Sequence, residues 1–347
     1  MARQQAPRSV LSKACDCVTE LAIRHPGDLA QRLAARLSLP LAEARVLCDQ
    51  LADLQWLVNA GTADRPQWRP GALRQVVRRY GLAGLQEDVP WQQDFAPYFE
   101  LPAHVARIAQ HAFTELVNNA IDHSGGRQVT ISMRQTPLQM QLLVSDDGRG
   151  VFNSIGRQFK INDPVHAMLE LAKGKLSSQP ERHTGRGLFF TAKMADIFDL
   201  HANGAAFQQR GWENEDWQRG RPVCGRGTSV YVAVALDTER TVDEVLRRYS
   251  ADGAGYGFER TVVPMKLLTA PQVGLESRAQ ARRITQRLTD FRRVELDFDG
   301  LQDIGHGFAD ELLRVFSREH PQVQLVPVNM APRVAALVHS VAEPAAA

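Results

Sequence analysis

Apolar residues recur at helical spacing through the first fifty positions, and then the period changes. Ser9–Arg24 reads as one amphipathic helix stopped by His25-Pro26-Gly27. Asp28–Arg36 is a second helix and, after a turn at Leu37–Pro40, Leu41–Leu54 is a third. Gln55–Asn59 and Gln67–Gly71 are strand-like runs joined by a turn at Ala60–Pro66. Leu73–Tyr80 is expected to be a basic helix. Gly81–Pro102 is expected to be an ordered connector, because Trp91, Phe95, Tyr98 and Phe99 need burial. The stretch His111–Ser124 then reads as a helix. Gly125-Gly126 break it, and Arg127–Arg134 and Leu138–Ser145 alternate apolar and polar residues as a β-hairpin. Val151–Thr184 is irregular apart from one short helix at Pro164–Ala172, and so long a stretch inside a domain points to a lid. A helix at Leu188–Phe198 and two strand-like runs come next, the last being Gly225–Val234. From Thr241 the pattern is helix, strand, helix, strand, helix, strand, helix, ending at Ala331–Val341 and including a basic helix at Ser277–Phe291. That rhythm argues for a small open sheet covered by helices.

Length and charge bound this picture. At 347 residues the chain has room for two or three domains. A net charge of +2 does not by itself call for nucleic acid or an anionic membrane, but residues 1–80 hold 12 Lys and Arg against 7 Asp and Glu. No apolar run approaches the ~18 residues of a membrane span, and the N-terminus has no apolar signal core. Cys15, Cys17, Cys48 and Cys224 lack metal-knuckle spacing and read as reduced thiols of a cytoplasmic protein.

The His111–Ser124 helix carries the first candidate chemistry. Glu115, Asn119 and Asp122 fall at i, i+4 and i+7 and share a face. Such a face is either a solvated surface or a place to hold a metal, a water and a charged ligand. The second strand of the following hairpin ends in Asp146-Asp147-Gly148-Arg149-Gly150. Asp146 can accept a hydrogen bond from an exocyclic amine, and Gly148 and Gly150 let the backbone turn sharply and approach a ligand. Gly185-Arg186-Gly187-Leu188 opens a helix, where free N–H groups suit a phosphate. Lys160, Lys173, Lys175 and His183 are the lid's candidate phosphate partners, against the plainer reading that they are solvated.

In order, Glu-x-x-x-Asn-x-x-Asp, Asp-x-Gly-x-Gly, a lid ending Gly-x-Gly-Leu, and Gly227-Thr228 in a late strand resemble the boxes of the gyrase, heat-shock chaperone, histidine kinase and MutL ATPase superfamily. The resemblance covers about 130 residues. It implies a Bergerat-fold α/β sandwich that binds ATP and Mg²⁺ between sheet, helices and lid. By that resemblance Asn119 is the Mg²⁺ ligand, Glu115 the general base or positioner of the attacking water, and Asp146 the adenine reader. Asp122 supports the pocket, Gly148 and Gly150 form its floor, and Gly185, Gly187 and Leu188 lie under the phosphates. Thr228 joins Asp146 through a water, and Lys175 and His183 reach the phosphates from the lid.

The flanking regions carry resemblances of their own. The segment "GDLAQRLAARLSLPLAEARVLCDQLADLQWLVNAG" resembles bacterial winged-helix modules, implying contact with duplex DNA through residues 28–71. Arg32, Arg36, Arg45 and Arg65 are the phosphate candidates. Pro40–Arg45, at the front of the third helix, is a poor surface for reading bases, so protein contact or dimerisation is the other use. "SRAQARRITQRL…VELDFDGLQDIGHGFADELLRVF" resembles STAS-like domains, in particular the STAS-like domain of unknown function at the C-terminus of ATPases of this superfamily. Where phosphorylated relatives carry an acceptor serine, this chain has Gly305-His306; Asp310 and Glu311 suit a docking face.

The expected architecture is α/β and multidomain: a winged helix (8–72), a connector (73–100), the ATP-binding domain (101–237, lid 151–184) and a STAS-like domain (238–347). The expected function is an ATP-hydrolysing switch that couples nucleotide state to DNA or to a protein partner on the STAS-like domain, alone or as a homodimer. A kinase of the anti-sigma type and a non-catalytic nucleotide-responsive module are the alternatives. No histidine-bearing dimerisation helix precedes the ATPase boxes, which argues against an ordinary sensor kinase.

Overall fold

The structure is a computed structural model and describes residues 8–161, 163–176, 185–212, 217–221, 225–269 and 274–342. The chain forms two compact units. One is the chain through Gly148 together with Ser229–Glu239, and the other is Arg149–Thr228 together with the chain from Arg240 onward.

The first unit begins with four helices, α1 (Arg8–Cys15), α2 (Val18–Arg24), α3 (Leu29–Leu37) and α4 (Leu41–Asp53). The expected first helix is thus two, divided at Asp16-Cys17. An antiparallel hairpin follows, β1 (Leu57–Asn59) with β2 (Trp68–Pro70). Val18, Leu29, Leu33, Leu47, Leu51, Trp56 and Trp68 form a core of their own. Burying each of these leucines stabilises the module by roughly 1.5–3 kcal/mol. Cys48 lies within this core, and burial pushes its thiol up to about 12; Cys15 and Cys17 are pushed up to about 11, chiefly by burial. These three are free thiols and not reactive thiolates.

Residues 74–81 depart from expectation. They are a strand, β3 (Arg74–Gly81), paired antiparallel along its whole length with β4 (Gln128–Gln135). Val76, Val77 and Tyr80 favour extended backbone, and two of the arginines that made the stretch read as a basic helix, Arg74 and Arg78, are ion-paired. Arg74 is 6% exposed; it bonds the Gly71 and Tyr98 carbonyls and the Glu100 carboxylate. Arg78 pairs with Glu20 of α2, and the Gln75 N–H donates to Thr19 Oγ1 at 3.0 Å. The N-terminal helices are therefore fastened to the sheet edge.

The sheet of this unit runs β3, β4, β5 (Gln139–Asp146), β9 (Thr228–Ala235), each pair antiparallel. The connector holds a single turn, α5 (Asp88–Pro90), and two irregular turns at Trp91–Tyr98. Trp91 and Phe95 are buried against Phe113, with ring centroids 5.3 and 5.1 Å apart. Phe113 belongs to α6 (Ala103–His123), which lies on β5.

The second unit opens with α7 (Val151–Phe159), α8 (Pro164–Lys173) and α9 (Gly187–Met194). The first of these was expected to be irregular; Gly150, at φ 84, turns the chain into it, and Phe152 and Ile155 bury one face. An antiparallel meander follows: β6 (Ile197–Ala202), β7 (Ala205–Arg210) and β8 (Trp217–Arg219). After α10 (Val242–Arg248), which starts on a Thr241/Glu244 capping box, comes the predicted βα rhythm. Strands β10 (Arg260–Pro264), β11 (Arg293–Asp297) and β12 (Gln324–Val328) form a parallel sheet in that order. Its helices are α11 (Arg278–Thr285), an interrupted helix made of α12 (His306–Ala309), a π turn and α13 (Phe316–Glu319), and finally α14 (Pro332–Ala342). Helix α11 stops well short of Phe291, because Arg287 takes the left-handed conformation at φ 61. No helix among the described residues is long and apolar enough to cross a membrane.

Candidate functional site

The polar stripe expected on the long helix is longer than three residues. His111, Glu115, Asn119 and Asp122 follow one another at one-turn intervals on α6. They run along the margin of the apolar face made by Val105, Ile108, Ala112, Leu116 and Ala120, so three of the four are half-buried and only Asp122 is exposed. That is not a freely solvated face. The Asn119 Nδ2 amide is buried without a hydrogen-bond partner, and so is His111 Nε2. An unpaired buried polar atom costs about 1–3 kcal/mol, and a ligand at this stripe would remove the cost. Burial pulls the His111 imidazole below its ordinary range, which leaves it neutral at pH 7. The orphaned ring nitrogen of His111 is a feature the sequence did not disclose.

The helix ends against the turn that follows β5. Ser124 Oγ donates to the Ala120 carbonyl at 2.5 Å and accepts the Gly126 N–H at 2.9 Å. A Cβ on Gly148 would lie 2.3 Å from the Ser124 carbonyl oxygen, so only glycine allows this approach. Asp146, 9% exposed at the end of β5, accepts the Gly148 N–H through Oδ1 at 2.8 Å. A carboxylate has about four acceptor positions, so this bond is compatible with recognition of an amine. Asp147 is the residue sequence reasoning passed over. Its Oδ1 takes the Arg127 and Gln128 N–H groups at 2.7 and 2.9 Å, tying the turn back to the start of β4. The only signal was an aspartate in a glycine-rich turn, where side-chain capping of backbone N–H is common.

The remaining candidates lie in the second unit. Gly150 caps α7, and a Cβ there would meet Asn203 at 2.4 Å. Asn203 in turn donates to the Arg149 carbonyl at 2.9 Å and accepts the Asn153 N–H at 3.1 Å. Thr228 Oγ1 accepts the Val151 N–H at 3.0 Å, so it holds the first turn of α7. Gly187 opens α9 with Leu188 behind it. Gly185, at φ 65, abuts the Leu176 backbone, where a Cβ would come within 2.5 Å. His183 lies outside the described residues. The lid lysines Lys173 and Lys175 both have protein partners: Lys173 is 0% exposed, and the half-buried Lys175 donates its Nζ to the Asp290 carbonyl at 2.5 Å. Lys160 ends α7 in the left-handed conformation.

Residues 89–207 match the family described as histidine kinase-like ATPase domain. The chain carries such an ATPase domain. Its matched span includes the α6 stripe, the Asp146–Gly150 turn and the Gly185–Leu188 turn. Residues 280–335 match the STAS-like domain of unknown function, so the chain carries a STAS-like domain over that span, which holds β11, β12 and the interrupted helix between them. No curated protein matches the chain.

The ATPase domain match supports ATP binding. Such domains usually bind the nucleotide with Mg²⁺, and the residues present fit that ion. Among the described residues no three His, Cys, Asp or Glu side chains group as a metal cage. Mg²⁺ typically takes one or two protein oxygens and completes its octahedron with phosphate and water. Asn119 is suited to that part: its Nδ2 has no bond to lose, so the carboxamide can turn its Oδ1 toward a cation.

Proposed function

We propose that this chain is a Mg²⁺-dependent, ATP-hydrolysing regulatory switch. The observation that carries the reading is the half-buried stripe on α6, in which Glu115 stands one turn before an asparagine with an orphaned amide. In this reading Asn119 supplies the one protein oxygen to the ion. Held there, Mg²⁺ would supply positive charge to offset the negative charge that builds during phosphoryl transfer. Glu115 accepts a hydrogen bond from the attacking water, aligns it, and takes its proton. Neutral His111 lies one turn behind Glu115 and adds no positive charge that would lower the basicity of the carboxylate. Asp146 accepts from the exocyclic amine of adenine, with the Gly148 N–H keeping the carboxylate in place. Asp122 supports the pocket, Gly150 and Gly185 shape its turns, and Gly187 and Leu188 offer backbone N–H groups to the phosphates. Thr228, Lys175 and His183 complete the set.

The test follows the terminal phosphate. Incubation with γ-labelled ATP and Mg²⁺ is expected to release label as free phosphate. Label retained on this chain or on an added partner would replace hydrolysis by the kinase reading. No label moved under saturating ATP would leave a binding module.

The output of the switch is proposed to be duplex DNA, contacted by residues 28–71. Arg32 and Arg36 of α3, the leading turn of α4 (Leu41, Ala42, Glu43, Arg45) and the hairpin residues Arg65 and Arg69 are exposed, while Leu29, Leu33, Leu47 and Leu51 of the same helices are committed to the module's core. With so few base-reading side chains, binding is expected to be phosphate-driven and steeply salt-dependent, weakening some tenfold or more between ~50 and ~200 mM salt. No gel shift at the lower salt would assign this surface to protein contact instead.

A further inference from the structure

Within the second unit, the last turn of α8 is gripped by the loop that follows α11 in the STAS-like domain. The Lys173 ammonium is fully enclosed and donates to Glu170 Oε1 at 2.5 Å and to the Gln286 carbonyl at 2.9 Å. Glu170 is 3% exposed, and its other oxygen takes Arg287 Nη1 at 3.0 Å. Arg287 Nη2 reaches further and donates to the carbonyls of Gly174 and Lys175 at 3.1 and 2.6 Å. Lys175 answers in the opposite direction, bonding the Asp290 carbonyl and standing 4.5 Å over the Phe291 ring. Thr261 of β10, 1% exposed, donates to the Lys173 carbonyl at 2.7 Å.

Two backbone features show how closely the parts are matched. Gly174 has φ 80, and a Cβ there would lie 2.5 Å from Phe258. Arg287 holds a left-handed conformation that is uncommon for a residue with a side chain, and its five donors are what this conformation aims at the α8 end. Phe258 also packs on Phe189 and Phe190 of α9 at 4.7 and 4.9 Å, and on Phe291 at 5.5 Å. The same STAS-like elements therefore touch both the end of α8 and the helix that follows the Gly185–Leu188 turn.

We propose that Gln286–Phe291 of the STAS-like domain is a latch on the ATPase lid, holding Lys173 and Lys175 away from nucleotide so that latching and ATP binding compete. The proposal rests on the ATP-binding reading above. A lysine reaches a phosphate only if its ammonium is accessible. Here one ammonium is sealed among a carboxylate and a carbonyl, and the other is pinned to a carbonyl over an aromatic ring. A form that binds ATP through the lid must release at least the Lys175 contacts. The apparent affinity for ATP is then lowered by the fraction of molecules that are latched, and by linkage bound ATP loosens the latch by the same factor.

The test uses the full chain and two variants, Arg287→Ala and the nearly isosteric Thr261→Val. Hydrogen exchange is read at the amides of 164–176 without nucleotide, with those of Arg293–Asp297 as the folding control. ATP affinity is read from a fluorescent ATP analogue with Mg²⁺. Expected is faster exchange at 164–176 in both variants, unchanged protection of β11, and roughly tenfold tighter analogue binding in Arg287→Ala. In the unmodified chain, saturating Mg²⁺ and analogue should speed exchange at 286–291. Wild-type exchange at 164–176 in both variants would overturn the latch. Faster exchange with unchanged analogue affinity would overturn the competition. If neither the unmodified chain nor Arg287→Ala binds analogue, the nucleotide reading is what has failed, and the exchange data still decide whether the lid is latched.

Discussion

Glu115→Gln is expected to lower the rate of phosphate release by about 10²–10⁴-fold while leaving ATP affinity within a few-fold of the unmodified chain. The substitution keeps the size and hydrogen-bonding reach of the side chain and removes only its ability to take a proton. A fall of that size is roughly 2.7–5.4 kcal/mol of transition-state stabilisation. It belongs to turnover and not to binding, because the proposed contacts to adenine and to the ion come from Asp146 and Asn119. Asp146→Asn should give the complementary result: weaker ATP binding, since an amide is not a pure acceptor, with the rate at saturation less affected. Equilibrium binding and single-turnover phosphate release separate the two. Phosphate release at the unmodified rate in Glu115→Gln would remove Glu115 from the chemistry. Loss of ATP affinity together with rate would make it a structural member of the stripe.

The α6 stripe was legible because helical geometry alone puts Glu115, Asn119 and Asp122 on one side, whatever surrounds them. The turn at Asp146–Gly150 was legible for a similar local reason, since glycine and aspartate announce a sharp turn by composition. The small open sheet with helices on it at the C-terminal end followed from alternating periods. What failed was decided by partners distant in sequence. Arg74, Arg78 and Arg79 made the stretch read as a basic helix, yet β3 is a strand because β4, about fifty residues on, offers it a ladder and α2 offers Glu20 to Arg78. Lys173 suggested a solvated lid cation, but its partner Gln286 is 113 positions away and Glu170's partner Arg287 is 117 away. No local pattern carries that information. Asp147 lay between: its motif was visible, but that it would bridge to Arg127 and Gln128 depends on how the hairpin closes.

Removing Glu170 should destabilise the second unit more than any other single side-chain change at the latch. Glu170→Ala leaves Lys173 enclosed without its carboxylate and takes from Arg287 its buried one; breaking one partner out of a buried ion pair typically costs about 3–5 kcal/mol. The pH dependence gives this prediction a sign of its own. Burial holds the Lys173 ammonium below the ordinary lysine value of 10.5, with Glu170 the largest opposing influence. The unfolded chain therefore binds the more protons in the window between the lowered folded value and 10.5, and stability gains from this lysine as pH rises through it. Without Glu170 the folded value drops further and the window widens. The Glu170→Ala deficit should consequently be largest near neutral pH or below and shrink as pH approaches 10.5. Urea unfolding of both proteins across that range reads the difference directly. The double variant Glu170→Leu, Lys173→Leu should recover most of the loss, because apolar residues of similar size carry no unpaired charge. A deficit that does not change with pH, or one the double variant does not recover, would mean that α8 is held by its apolar packing and not by the Glu170, Lys173 and Arg287 network.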